Sequence, residues 1–213
     1  MTQRRHHYEL AFEVFLRARR IPYVAVDEAR KALLPDNSAL RVVDADQQPP
    51  RAASLKSFDF VIYGPIHSGS APTLGAENLL VEVKGRKIGL RRARPTKDID
   101  AMIFTDEAPS TGGDGAGRLE SWVTQEDVES LRTWERLFGS GFAATFVFLY
   151  WCEQQPPDAL FQEIFEHRGR WYAVRAVTLA DYAREMKVRS PRWGTVHVPP
   201  TVFERISRPF TGR

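Results

Sequence analysis

The chain has 213 residues, of which 43% are hydrophobic and 27% charged, which is typical of one globular domain with a substantial core. No apolar run approaches the ~20 residues that span a bilayer, and the start of the chain has no apolar signal-peptide region. The single cysteine excludes an intramolecular disulfide and a cysteine-rich zinc site, so we expect a cytoplasmic protein without a membrane partner.

A first helix is predicted over about residues 8–20, where apolar side chains recur at helical spacing and Pro22 ends the pattern. Glu9, Glu13 and Arg17 form a polar stripe along it. Glu13 precedes Arg17 by four residues, which is the favourable order for an ordinary ion pair. Glu9 lies one turn earlier, among basic residues that would keep it ionised. Either glutamate could still be only a solvent-facing charge.

A short strand is predicted at residues 23–26, and a longer one at 55–63, which is rich in aromatic and β-branched side chains. The longer strand places Asp59 between two phenylalanines. A carboxylate in such an apolar setting is costly unless it is paired or binds a cation. Asp59 is therefore a candidate functional residue.

Within residues 78–87 we predict a third strand, which should stop at Gly85. Glu82 and Lys84 lie two apart on it and so point to the same face, together with Leu80. The turn-rich loop before this strand predicts an antiparallel hairpin that brings Asp59 near Glu82. An exposed ion pair on a half-buried strand is the alternative interpretation.

A basic run begins on the same strand: seven basic residues and no acidic one lie between Lys84 and Lys97. Because it adjoins the charged strand, the run could collect phosphates. The basic side chains predicted to contact DNA are Arg86, Lys87, Arg91, Arg92 and Arg94. The irregular residues 85–121 around them indicate a mobile lid or a DNA-contacting insert. A solvated surface loop is the alternative.

Regular structure is predicted again from Thr124, which caps a helix with Asp127 three residues on; Gly139 closes that helix. The continuous apolar run at residues 143–151 indicates a central strand. The remaining predicted elements are a strand at 171–177, a helix at 178–187 and one short helix near 202–207 in a Pro/Arg-rich tail. Trp193 stands in that tail, where its ring could stack on a base.

The order of these elements resembles the PD-(D/E)XK nuclease superfamily, and more narrowly the archaeal Holliday-junction resolvases and related endonuclease-like proteins. The matching pieces are the first helix (8–16), the Asp59 strand (57–61), the Glu-x-Lys strand (80–84) and the capped helix (123–131). The resemblance implies an α/β fold in which a mixed central sheet is flanked by helices, with a restriction-endonuclease-like αβββαβ core.

By this resemblance, the nuclease-like domain spans residues 1–189 with loop inserts at 64–77 and 85–121, and residues 190–213 are a basic extension. The implied activity is Mg²⁺-dependent (or Mn²⁺-dependent) hydrolysis of DNA phosphodiesters, in repair, recombination or defence. The alternative is a nuclease-like protein that binds DNA or a partner with weak catalysis. Resolvases also pair two sites across a homodimer, but no pattern in this sequence marks such an interface.

The resemblance also implies roles for single residues. Asp59 and Glu82 would ligate the metal together with the Val83 backbone carbonyl, and Lys84 would orient or deprotonate the attacking water. The helix glutamate that completes the site would be Glu9, with Glu13 as the alternative. Gln125 would lie near the scissile phosphate, or would be only an N-terminal helix residue.

Overall fold

The computed structural model describes residues 7–27, 29, 55–64, 78–88, 119–153, 155–156 and 163–211. Most of the two predicted loop inserts lies outside these residues, and so do Arg91, Arg92 and Arg94. Within the described ranges, no helix is both long enough and apolar enough to cross a membrane.

The described residues form four helices and nine strands. The helices are α1 (His7–Ala18), α2 (Gln125–Phe138), α3 (Leu179–Glu185) and α4 (Pro200–Ile206). The strands are β1 (Tyr23–Ala25), β2 (Phe60–Tyr63), β3 (Asn78–Ile88), β4 (Val123–Thr124), β5 (Phe142–Cys152), β6 (Ile164–His167), β7 (Arg170–Thr178), β8 (Lys187–Ser190) and β9 (Thr195–His197).

A six-stranded mixed sheet organises the fold, with strand order β1-β2-β3-β5-β7-β6. β1, β2 and β3 pair antiparallel, whereas β3 and β5 are parallel over eleven residue pairs. A parallel pair needs a crossover connection, and α2 lies within that connection. The predicted α/β class with a mixed central sheet flanked by helices is confirmed.

The two faces of the sheet bury different helices, as the alternation of β3 predicts. Leu79, Val81 and Val83 belong to the core that packs against α1. Leu80 belongs to the opposite core, together with Val128 of α2, and other members of that core come from α3 and α4. The carboxylate of Glu82 therefore points toward the side of the sheet that α2 covers.

Two predicted strand bounds are wrong, for reasons that matter to the site. β2 begins only at Phe60, because residues 55–59 approach it as an irregular segment that bends at Asp59. β3 does not stop at Gly85 but continues to Ile88, because β5 pairs with it as far as Ile88 and Cys152. The low strand propensity of Gly85 is outweighed here by the long parallel pairing of β3 with β5.

The C-terminal residues fold onto the body of the protein. β8 and β9, which the sequence did not predict, form a second sheet in which β9 pairs with both β4 and β8. Phe203 and Phe210 are fully buried, and the buried Glu163 carboxylate accepts the Phe210 N–H at 2.6 Å. The predicted basic extension thus contributes to the core.

Candidate active site

The Asp59 carboxylate accepts a backbone hydrogen bond beside β3, at the point where the pairing with β2 ends. The backbone N–H of Asp59 still donates to the Val81 carbonyl at 2.9 Å. One pair further along β3, the Val83 N–H donates to Asp59 Oδ2 at 2.7 Å instead of to a backbone carbonyl. Because the N–H and C=O of one strand residue point to the same side, the Val83 carbonyl also points toward Asp59, past the end of β2.

Glu82 and Lys84 belong to a closed ring of four charges. Lys84 Nζ lies 2.7 Å from Glu82 Oε1 and 2.8 Å from Asp127 Oδ2. Lys56 closes the ring, because its ammonium contacts Asp127 and lies 3.7 Å from Glu82 Oε1. Two carboxylates and two ammonium groups therefore neutralise one another across β3, α2 and the segment before β2.

Sequence reasoning missed Lys56 and the second role of Asp127. The predicted capping box is present: Asp127 N–H donates to Thr124 Oγ1, and Thr124 N–H donates to Asp127 Oδ2. The same carboxylate also holds both lysines of the ring. The capping carboxylate of Asp127 is 3% exposed, and a carboxylate buried to this extent needs charged partners. Helical periodicity in the sequence does not reveal this burial, so the lysine partners of Asp127 were not predicted.

The pKa values of the carboxylates separate two kinds of environment. Burial acts to raise the pKa of Asp127, but Lys84, Lys56 and the Thr124 N–H lower it to about 2. Desolvation raises the pKa of Asp59 well above its usual range, and the charges of Glu82 and Glu9 raise it further. Burial also raises the pKa of Glu82, against the opposing effects of Lys84 and Lys56.

The two helix glutamates face different surroundings. Glu13 is buried and bound on α1 by the expected ion pair with Arg17, and the Tyr23 hydroxyl donates to its Oε1 at 2.7 Å. The charge of Glu9 instead acts on Asp59. Glu9 is therefore the glutamate whose carboxylate influences the site, while Glu13 ties α1 to β1.

Gly85 fixes the start of α1 against β3. A Cβ at this position would overlap the Tyr8 ring, which lies directly on the glycine backbone. Tyr8 precedes Glu9 in the chain, so this contact sets where the first turn of α1 meets the charged strand. The glycine of the Val-Lys-Gly sequence is thus needed for close packing.

Of the basic residues predicted to bind DNA, only Arg86 and Lys87 lie in the described residues. The Arg86 guanidinium stacks on the Trp122 ring at 4.0 Å and donates to the Trp122 carbonyl, and burial lowers its pKa. These contacts favour a packing role. Lys87 is exposed and lies 2.7 Å from Glu153 Oε1. DNA contact stays a prediction for both residues.

Gln125 is the first residue of α2 and its side chain is exposed. Its backbone N–H donates to the Gly194 carbonyl at 2.7 Å. Gln125 lies in the first turn of α2, two residues before Asp127. A contact with phosphate stays a prediction.

The donor set suits a hard cation, although it is incomplete. Among the described residues, no three Asp, Glu, His or Cys side chains are grouped closely enough to hold a metal by themselves. Mg²⁺ commonly uses only one or two carboxylates and keeps several waters. Glu82 and Asp127 meet two ammonium groups, and the buried Asp59 carboxylate lies near enough to feel the charges of Glu82, Glu9 and Lys84.

No family model, curated protein or solved structure matches this chain.

Proposed function

We propose that this protein is a metal-dependent DNA endonuclease with a restriction-endonuclease-like core. The observation that carries the proposal is the arrangement of Asp59, Glu82 and Lys84: one carboxylate lies at the bend before β2, and the Glu-x-Lys pair lies beside it on β3. Carboxylate oxygens next to an ammonium group are what phosphodiester hydrolysis with a hard cation requires.

The order of the elements supports the same proposal. Apart from the two-residue β4, which belongs to the second sheet, α1, the antiparallel β1-β2-β3 meander, the α2 crossover and the parallel strand β5 come in the order αβββαβ. The charged residues belong to the first five of these elements or to the segments between them. Fold order and site position are thus mutually consistent.

Asp59, Glu82 and the Val83 carbonyl would hold Mg²⁺ or Mn²⁺. The bound ion would stabilise charge on the phosphate and lower the pKa of an attacking water. Lys84 then orients that water and balances the negative charge that develops on the phosphate. Asp127 positions Lys84 from the opposite side through its 2.8 Å contact, and Glu9 adds negative charge from α1.

Burial, and then the charges of Glu82 and Glu9, raise the pKa of Asp59, and a cation bound at this position would offset that cost of ionisation. Neighbouring carboxylates oppose its ionisation, and an opposite charge nearby favours the charged form. A divalent ion would supply positive charge beside Asp59. Lys84 lowers the pKa of Asp59, but its ammonium group is shared with Glu82 and Asp127.

The same ring also favours a second candidate function, a nuclease-like protein that binds DNA or a partner without efficient cleavage. Glu82 is already within 4 Å of two ammonium groups, so a metal ion would have to compete with them. The two candidates differ in metal-dependent stability and in cleavage, and both can be measured.

The test is cleavage of linear, branched and single-stranded DNA with Mg²⁺ or with EDTA. Asp59→Ala and Glu82→Ala should each abolish cleavage and preserve DNA binding, because removing a carboxylate does not add repulsion of phosphates. Lys84→Ala should be inactive but should still bind Mg²⁺, since an ammonium group is not a ligand. Wild-type rates of cleavage by either carboxylate variant would refute the site. Cleavage by the wild-type protein in EDTA would refute the requirement for a metal ion.

A further inference from the structure

The turn between β8 and β9 projects an aromatic side chain from a basic hairpin. Residues 187–197 include Lys187, Arg189 and Arg192 and contain no acidic residue. Trp193 at the turn is 72% exposed, more than any other large hydrophobic residue in the described part of the chain. A tryptophan in this setting contributes little to the core.

The geometry of the turn holds the ring in a defined place. The Gly194 N–H donates to the Pro191 carbonyl at 3.3 Å, and Gly194 has a φ of +53°, in the left-handed region that glycine favours. The Arg192 guanidinium carbon lies 5.4 Å from the Trp193 ring centre. The fixed φ of Pro191 and the hydrogen bond from Gly194 to Pro191 restrict the turn, which lowers the entropy that binding would cost.

The hairpin is fastened directly to the start of α2. Val196 and Thr195 pair with Val123 and Thr124, and the Gly194 carbonyl accepts the Gln125 N–H at 2.7 Å. Asp127, which holds Lys84, follows Gln125 by two residues, a rise of about 3 Å along the helix axis. The turn therefore lies at the same end of α2 as Asp127.

Arg189 has a different position from the other two cations. It lies over the Trp122 ring at 5.3 Å and 3.9 Å from Glu120 Oε1, so it fastens the hairpin to the body of the protein. Lys187 and Arg192 are exposed. They supply positive charge on the hairpin that carries the ring.

We propose that the β8–β9 hairpin recognises an unpaired base of a DNA strand, with Trp193 stacked on the base and Arg192 and Lys187 on the flanking phosphates. Base stacking on an aromatic side chain tolerates any sequence, because every base has a π-face. The inference rests on the proposed function, and it names the substrate class: DNA in which a single-stranded segment meets a duplex. A base within intact duplex offers no free face to the ring.

Charge decides between nucleic acid and protein as the occupant. A protein-binding patch centred on tryptophan is typically apolar at its centre and depleted of lysine. The Trp193 ring instead stands on a hairpin with exposed cations and without a carboxylate of its own. This surface matches a phosphate backbone that runs past a stacked base.

The experiment measures binding by fluorescence anisotropy in EDTA, so that no cleavage occurs. Three labelled DNAs of matched sequence serve as probes: a blunt duplex, a duplex with a single-stranded tail, and the single strand. We expect Trp193→Ala to weaken binding of the tailed and single-stranded DNAs at least about fivefold and to change duplex binding less than about twofold. Trp193→Phe retains a stacking ring and should keep most of the affinity.

Val188→Ala is the matched control, since Val188 is 67% exposed on the same hairpin and has no ring; its affinities should equal those of the wild type. Thermal melting checks that all variants remain folded. Unchanged binding by Trp193→Ala, an equal loss on blunt duplex, or an equal loss with Val188→Ala would each overturn the inference. A change in the sedimenting mass of Trp193→Ala with unchanged DNA binding would assign the ring to a protein interface instead.

Failure of this inference can be told apart from failure of the proposed function. The same DNAs are incubated with Mg²⁺ and analysed for cleavage. Absent cleavage combined with the binding difference at Trp193 would refute the nuclease and keep the base-recognition role. Metal-dependent cleavage combined with wild-type binding by Trp193→Ala would keep the nuclease and refute the role of the hairpin.

Discussion

Lys84 Nζ lies 2.8 Å from Asp127 Oδ2, so the lysine of the central strand is held by the first turn of the helix that crosses to the next strand. The same carboxylate caps that helix. Capping and lysine positioning therefore depend on one side chain, and both act before any ligand arrives. Its removal should affect folding and function together.

Asp127→Asn should reduce stability near neutral pH and flatten the loss of stability in acid. The folded-state pKa is lowered from 3.8 to about 2, so the stabilisation is present above pH ~4 and is lost as the pH falls toward 2. Linkage gives about 2 kcal/mol for this shift. Urea unfolding between pH 2 and 7 measures it, with the exposed Glu129→Gln on the same helix as the control. Parallel pH profiles for wild type and Asp127→Asn would contradict the prediction.

Asp59→Asn should stabilise the metal-free protein while it abolishes cleavage. A carboxyl whose pKa is raised in the folded state contributes stability at low pH that is lost as the pH rises through the folded pKa. An amide at this position cannot ionise, and its oxygen can still accept the Val83 N–H. In EDTA at pH 8 the variant should melt at a higher temperature than the wild type.

Addition of Mg²⁺ should reverse that order. The wild type gains stability from an ion that binds only the folded state, and Asp59→Asn gains little. Melting curves with and without Mg²⁺ therefore also separate the nuclease from the binding protein without cleavage activity. Equal melting temperatures of the wild type in Mg²⁺ and in EDTA would favour the binding protein without cleavage activity.

Glu9→Gln and Glu13→Gln should give opposite results. Glu9 acts electrostatically on Asp59, so Glu9→Gln should cut the metal-dependent cleavage rate by a large factor and change stability little. Glu13 accepts the Tyr23 hydroxyl and pairs with Arg17 in a buried position, so Glu13→Gln should cost about 1 kcal/mol of stability and keep the rate. Rates over a Mg²⁺ titration measure the first effect, and urea unfolding measures the second. The reverse pattern would move the metal-binding role to Glu13.

Neutralising Arg91, Arg92 and Arg94 together should weaken DNA binding about equally for all sequences. Each lost phosphate contact removes one released counterion, so the salt dependence should flatten by up to ~3 units of slope. Anisotropy titrations at several salt concentrations measure the slope. Lys87→Gln is an informative comparison, because Lys87 is paired with Glu153 and should change the slope less. An unchanged slope in the triple variant would identify the run as a solvated surface.

Periodicity and capping predicted the parts of the fold that depend on local sequence. Thr124 and Gly139 bound α2 as predicted, and the alternation of β3 placed Glu82 and Lys84 on one face. β8 and β9 were missed because they are short, and because β9 pairs with β4, more than sixty positions earlier in the chain. Such contacts leave no periodic signal in a single strand of three or four residues.

The site was predicted where its residues share an element and missed where they meet across elements. Asp59 and the Glu-x-Lys pair could be chosen because charge in an apolar strand is costly. Lys56 could not, because it precedes β2 in an irregular segment and meets Asp127 only in three dimensions. Arg86 was chosen from the basic run, and the packing of its guanidinium on the Trp122 ring is a further contact that the run could not predict.

The contact between the Tyr8 ring and Gly85 predicts how substitutions at positions 85 and 9 should combine. A Cβ at position 85 would collide with the Tyr8 ring, and we expect the shift of Tyr8 to move its neighbour Glu9. If Glu9 matters for the metal-dependent rate, Gly85→Ala should lower that rate without altering a charged group. In a Glu9→Gln background the same substitution should cost little further activity. The two positions should therefore behave as an epistatic pair: whichever change comes first makes the second almost silent.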